Sequence, residues 1–79
     1  MMSHALDIRE HMEVVGSDGG HVGKVDHVMS DEIGLAKLDL GSGLKHHLIH
    51  MSWVDHVEAD RVCLNMTKDA AKAAWREKP

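Results

Sequence analysis

Apolar positions along this chain come in short clusters broken by Gly, Asp, Ser and charged residues, the pattern of short strands rather than long helices. Met12 to Val15 and His21 to Val28 read as two strands joined by the turn Gly16-Ser17-Asp18-Gly19-Gly20. The glycines there supply backbone conformations at positive φ, and Ser17 and Asp18 have side chains short enough to bond the turn backbone. In the second strand Val22, Val25 and Val28 lie three apart, which strict alternation cannot place on one face. The spacing predicts a bulge near Gly23 or Lys24. Bulged, strongly twisted hairpins are what small barrels close with.

The flanking segments extend this hairpin. Asp7-Ile8-Arg9-Glu10 has capping-box spacing and predicts a single helical turn, so residues 1–10 read as an arm and residues 11–79 as one domain. After the polar turn Ser30-Asp31-Glu32, the run from Ile33 to Leu38 predicts a third strand with Ile33 and Leu35 on one face. Gly41, Ser42 and Gly43 form a loop open to an interaction partner. Lys45 to Met51 alternates as a fourth strand, turning His47, Ile49 and Met51 one way and His46, Leu48 and His50 the other. From Trp53 to Val57 the three-residue spacing of Val54 and Val57 implies another bulge or a 3₁₀ turn. Glu58-Ala59-Asp60 is a turn before a last strand, Arg61 to Leu64, with Cys63 facing away from Val62 and Leu64. Thr67 is a good N-cap, and the alanine-rich stretch after it predicts a helix over 67–77 with Ala70, Ala71, Ala74 and Trp75 as its apolar face.

Composition narrows the function classes. A chain of 79 residues buries only roughly 60% of its unfolded surface, and its core lacks Phe and Tyr, so added burial in a homo-oligomer, most simply a dimer, is expected. The single cysteine rules out an internal disulfide and fits a reducing cytoplasm. No basic leader precedes an apolar run, and no window reaches the ~20 apolar residues of a membrane span. A formal charge of −4 disfavours a sequence-independent grip on nucleic acid, although protonating all eight histidines would take it to +4.

The order and spacing of His11-Met12-Glu13-Val14-Val15-Gly16-Ser17-Asp18-Gly19, Val22-Gly23-Lys24-Val25-Asp26, His46-His47-Leu48-Ile49, Trp53-Val54 and Val62-Cys63-Leu64-Asn65 resemble an uncharacterised bacterial family allied to the PRC barrel. The likeness runs from His11 to Trp75, with His50 standing where that family usually has proline and Leu48 where an aromatic is usual. It implies a mainly β architecture, a small PRC-barrel-like or SH3-like β-barrel with a C-terminal α-helix. Its relatives include barrels of the photosynthetic reaction-centre H subunit and of a ribosome-maturation protein, which bind macromolecules rather than catalyse.

The remaining chemistry is sparse. His46, His50 and His56 are the candidate ligands for Zn²⁺, Ni²⁺ or Cu²⁺, since His46 and His50 share a strand face; solvated and packing histidines explain the same residues more simply. Ser17, Asp18 and His21 invite a hydrolase reading, but all three sit in or beside one turn with no evident oxyanion donors. The Gly16–Gly20 turn leads into a strand, not a helix, so it lacks the usual phosphate-cradling geometry. Cys63, without a resolving cysteine, reads as a small apolar residue. Trp75, late on the helix, is a candidate interaction anchor together with Gly41, Ser42 and Gly43. The expected function is a non-enzymatic binding or scaffolding module acting through protein–protein contacts without a cofactor. A histidine-dependent metal-binding protein is the alternative, and a small hydrolase a distant third.

Overall fold

The computed structural model describes residues 7–36 and 46–78. It contains the strands β1 (Glu13–Val15), β2 (His21–Val28), β3 (Glu32–Leu35), β4 (His46–His50), β5 (Val54–Glu58), β6 (Arg61–Leu64) and β7 (Arg76–Lys78). A 3₁₀ turn, Met51–Trp53, leads into β5, and the helix α1 (Lys68–Ala74) lies between β6 and β7. The strands pair in the order β5-β6-β1-β2-β3-β4-β7. All these pairings are antiparallel except β1 with β6, which run parallel. The described residues are thus mainly β with one α-helix, and the order leaves β5 and β7 at its two ends. The expected loop Gly41-Ser42-Gly43 lies outside the described residues. No helix among those residues is long and apolar enough to cross a membrane.

Bulges account for the three-residue spacings. Val14 pairs with Gly23 and Val15 with His21, so Val22 is the extra residue on β2. Val25 then pairs with Leu35 and His27 with Gly34, leaving Asp26 extra. The predicted bulge near Gly23 or Lys24 is therefore two bulges that flank those residues. Between them they let Val22 and Val25, each 1% exposed, both turn inward, and they bend β2 so that its first half pairs with β1 and its second with β3. Asp55 is the corresponding extra residue of β5. There both predicted devices occur, a 3₁₀ turn and then a bulge.

The core is aliphatic. Val14, Val22, Val25, Ile33, Leu35, Ile49, Val62 and Leu64 are essentially inaccessible, each contributing about 1.5–3 kcal/mol by leaving water. Gly23 belongs to the same packing, because a Cβ there would press to 3.3 Å from Leu35 Cδ1. Trp53 packs against this core while remaining partly exposed.

Two predicted helical segments differ from expectation. Residues 7–12 form an irregular turn instead of a helical one, since His11 adopts φ 75° and its backbone N–H donates to Val25 O at 2.8 Å. Pairing with β2 outcompetes a helical turn too short to stand alone. Ile8 and Met12, on either side of this turn, are nonetheless in the core. At the other end, Thr67 caps α1 as predicted, its Oγ1 accepting from Ala70 N at 3.2 Å, but the helix stops at Ala74 rather than residue 77. Of the alanines in the predicted apolar face only Ala71 is buried, and Ala70 and Ala74 are exposed. Residues 76–78 pair instead with β4, Leu48 opposite Arg76 and His46 opposite Lys78. A strand edge carries unpaired N–H and C=O groups, and covering it, with Arg76 bound to Glu32 at 2.6 Å, outweighs another turn of a helix whose outer face is exposed.

The β1–β2 turn docks on the start of α1. Gly16 N donates to Gly20 O and Gly19 N to Gly16 O, both at 2.9 Å, while Ser17 N donates to Met66 O at 2.8 Å. Asp18 Oδ1 accepts from Gly20 N at 3.1 Å and from Lys68 N at 3.2 Å. A Cβ on Gly16 would overlap Lys68 N and stand 2.8 Å from Thr67 C. Gly19, by contrast, faces open space but has φ +81°.

Two stability outcomes follow from these contacts. Gly16→Ala should destabilise the domain by about 2 kcal/mol or more, because backbone cannot yield as a side chain does, and Gly19→Ala by about 1 kcal/mol from its positive φ. Urea unfolding that ranked Gly16→Ala as neutral would contradict the docking. In the β5–β6 hairpin, Ala59 (φ 51°) and Asp60 (φ 60°) form a two-residue turn with positive φ at both positions, a conformation that favours Asn or Gly. Ala59→Gly should therefore raise the urea midpoint, by up to about 1 kcal/mol in stability.

Candidate functional site

The bulge at Asp55 sets the chemistry of the β5–β6 hairpin. By adding one residue to β5 it makes His56 the cross-strand partner of Cys63, and residues directly opposite on paired strands have neighbouring side chains. Glu58, two residues beyond His56, returns to the same face. The imidazole of His56 lies between two carboxylates, with Nδ1 2.7 Å from Asp55 Oδ2 and Nε2 2.6 Å from Glu58 Oε1. One ligand atom from each of His56, Glu58 and Cys63 falls within 4.8 Å of the others. These side chains border a cleft of about 350 Å³ whose far wall is the β1–β2 turn at Ser17 and Gly19.

Hydrogen bonds from Asp55 and then Glu58 raise the His56 pKa above its ordinary 6.5 by favouring the imidazolium, which donates to both carboxylates. The Cys63 thiol is also raised, chiefly by burial and secondarily by the charge of Glu58. Asp18, on the turn, is lowered by the N–H groups of Gly20 and Lys68. The cleft therefore presents a nitrogen and a sulfur donor that hold their protons, beside the acceptor oxygens of Asp55 and Glu58.

The three predicted histidine ligands have separate surroundings. His46 and His50 belong to β4 and His56 to β5, near opposite ends of the strand order. His46 Nδ1 lies 3.1 Å from Leu35 O and 4.0 Å from Asp26 Oδ2. His50 is exposed, its ring edge-on to Trp53 at 5.5 Å between centroids. Among the described residues, the structure gathers Glu58 and Cys63 around His56, and not His46 and His50. Inward placement of His47, read from strand parity, is seen directly: it is 3% exposed and stacks on Trp75 with ring centroids 3.8 Å apart. In the Ser17–Asp18–His21 group, Asp18 caps α1 and His21 Nδ1 lies 2.9 Å from Glu13 Oε2. Sequence reasoning missed Asp55, Glu58 and Cys63 as companions of His56. Their signal was the spacing of Val54 and Val57, once its extra residue is assigned to Asp55.

The family model for an uncharacterised protein conserved in bacteria, DUF2171, matches residues 8–72. The chain belongs to this family. The matched segment of the DUF2171 chain begins at the buried Ile8 and covers β1 to β6 and the capped start of α1. It thus includes the docked turn and the whole His56 cleft. No curated protein and no solved structure matches the chain.

In the DUF2171 chain the His56 titration should lie above 6.5 and move down on Glu58→Gln or Asp55→Asn, read by NMR of the imidazole protons. A folded-state pKa above the unfolded value means that the stabilisation is fully present below about 6.5 and disappears as pH rises through the folded pKa. His56→Ala should therefore lower the unfolding midpoint more at pH 6 than at pH 9; an equal effect at both would contradict the paired imidazolium.

Proposed function

We propose that the domain is a non-enzymatic binding module built on a partly open barrel of the PRC or SH3-like kind, which acts through protein–protein contacts. The barrel reading is supported by the bulges that bend β2 across both halves of the sheet. The observation that carries the contact reading is the outer face of α1. Ala70, Ala73 and Ala74 fall at i, i+3 and i+4, so they share one side of the helix, and all three are exposed. Beside them Trp75 is only partly buried, with one ring face on His47 and Lys72 Nζ 5.8 Å from its centroid. A flat, small-residue surface beside an immobilised indole costs little side-chain entropy on contact, the property that makes Trp common among interface anchors.

The partner that best fits this surface is a second copy of the chain. A two-fold axis places the same helix face on both sides, and alanines permit close approach of the two helices. The aliphatic core of so short a domain gains from the added burial. Sedimentation equilibrium should give a dimer at micromolar concentrations, and Ala73→Arg should shift it to monomer while leaving the far-ultraviolet circular dichroism unchanged. A wild-type monomer across that range would overturn the contact reading.

A further inference from the structure

We propose that His56, Glu58 and Cys63 form a binding site for a single transition-metal dication of the Zn²⁺ type, with Asp55 as its positioning residue. The proposal is independent of the helix contact above, since it uses none of the residues of that contact.

The donors suit such an ion in type and in number. Thiolate, imidazole and carboxylate are the ligands of borderline-soft Zn²⁺, and three protein ligands leave a fourth position for water or another donor. A tetrahedral ion about 2.0–2.3 Å from its ligands holds them roughly 3.3–3.8 Å apart. The three atoms already lie within 4.8 Å of one another, and all belong to side chains at a surface cleft, free to adjust by rotamer. The Cα register of β5 and β6 keeps His56 and Cys63 opposed, so the site does not depend on a loop.

Asp55 supplies a second observation. Its carboxylate lies 2.7 Å from His56 Nδ1, leaving Nε2 to face Glu58 and the cluster. A ligating histidine characteristically donates its other ring N–H to a carboxylate, which fixes the tautomer and turns the free nitrogen towards the ion. Here the bulged residue itself performs that task. In the metal-free protein Glu58 occupies Nε2 at 2.6 Å. Binding replaces that hydrogen bond with two bonds to the metal, and the protons of Nε2 and of the Cys63 thiol pass to solvent. Arg61 also lines the cleft, but Asp55, Glu58 and the Cys63 thiolate outweigh its charge.

The test is titration of the intact, reduced chain with Co²⁺, followed by displacement with Zn²⁺. The expected result is one ion per chain, a near-ultraviolet thiolate-to-cobalt charge-transfer band and release of protons into weak buffer. Cys63→Ser should abolish the band. Asp55→Asn should weaken binding about 10–100-fold with the band retained, and His56→Ala or Glu58→Gln at least as much. All four positions lie at the surface cleft, and circular dichroism checks their folding. The double variant His46→Ala, His50→Ala should bind as wild type does. Absence of the charge-transfer band in the wild type, or affinity indifferent to both Cys63→Ser and His56→Ala, would overturn the proposal, as would loss of binding in the His46, His50 variant.

Discussion

The contact on which the remaining architecture depends is that of the β1–β2 turn with the first residues of α1. Asp18 spans it, accepting from Gly20 within the turn and from Lys68, fifty residues away, while the absence of a side chain on Gly16 lets the two backbones meet. The first N–H groups of a helix have no partner within the helix. Here Asp18 takes that of Lys68 while Thr67 takes that of Ala70. Because the position of α1 is set at its start, Trp75 reaches the ring of His47 at its end, and the chain can then run back along β4. The ionised carboxylate accepts both bonds more strongly than the neutral acid does. With its pKa held below the ordinary value, its contribution is complete above the unfolded carboxylate range and is lost as pH falls through the folded pKa.

Local chemistry was legible in the sequence where one residue type had one use. The Gly16–Gly20 turn, the N-cap at Thr67 and the inward face of His47 and Ile49 all follow from rules that act over a few residues, and all are present. What was not legible depended on distant partners. Nothing between Thr67 and Pro79 signals that β4 has an uncovered edge, so helix propensity carried the helix on through Trp75, Arg76 and Glu77, where the fold makes the helix cap and the start of β7. Likewise Asp7 to Glu10 has good capping spacing, but the claim of β2 on the backbone of His11 and Met12 is invisible locally.

The candidate site divides in the same way. His56 was marked by its residue type, but the choice of companions followed strand parity within β4, which says nothing about β6. Parity fails once a bulge intervenes, and Asp55 is the residue at which it fails. The three-residue spacings of Val22, Val25 and Val54, Val57 announced the bulges without naming the extra residue. That one-residue ambiguity decides whether His56 faces Cys63 or turns away from it.

The parallel pairing of β1 with β6 has a consequence for how the protein forms. Val14 lies beside Val62, so the two central strands of one half come from near opposite ends of the chain, and their ladder closes a loop containing most of the other strands. Closure entropy must be met before those contacts stabilise anything. The β1–β2 hairpin can form early, but as a lone two-stranded ribbon it is marginal in water. During synthesis β1 to β4 emerge first and can pair in sequence, but the β1–β6 ladder and the seat of α1 on the turn can close only once the chain beyond Leu64 has been made.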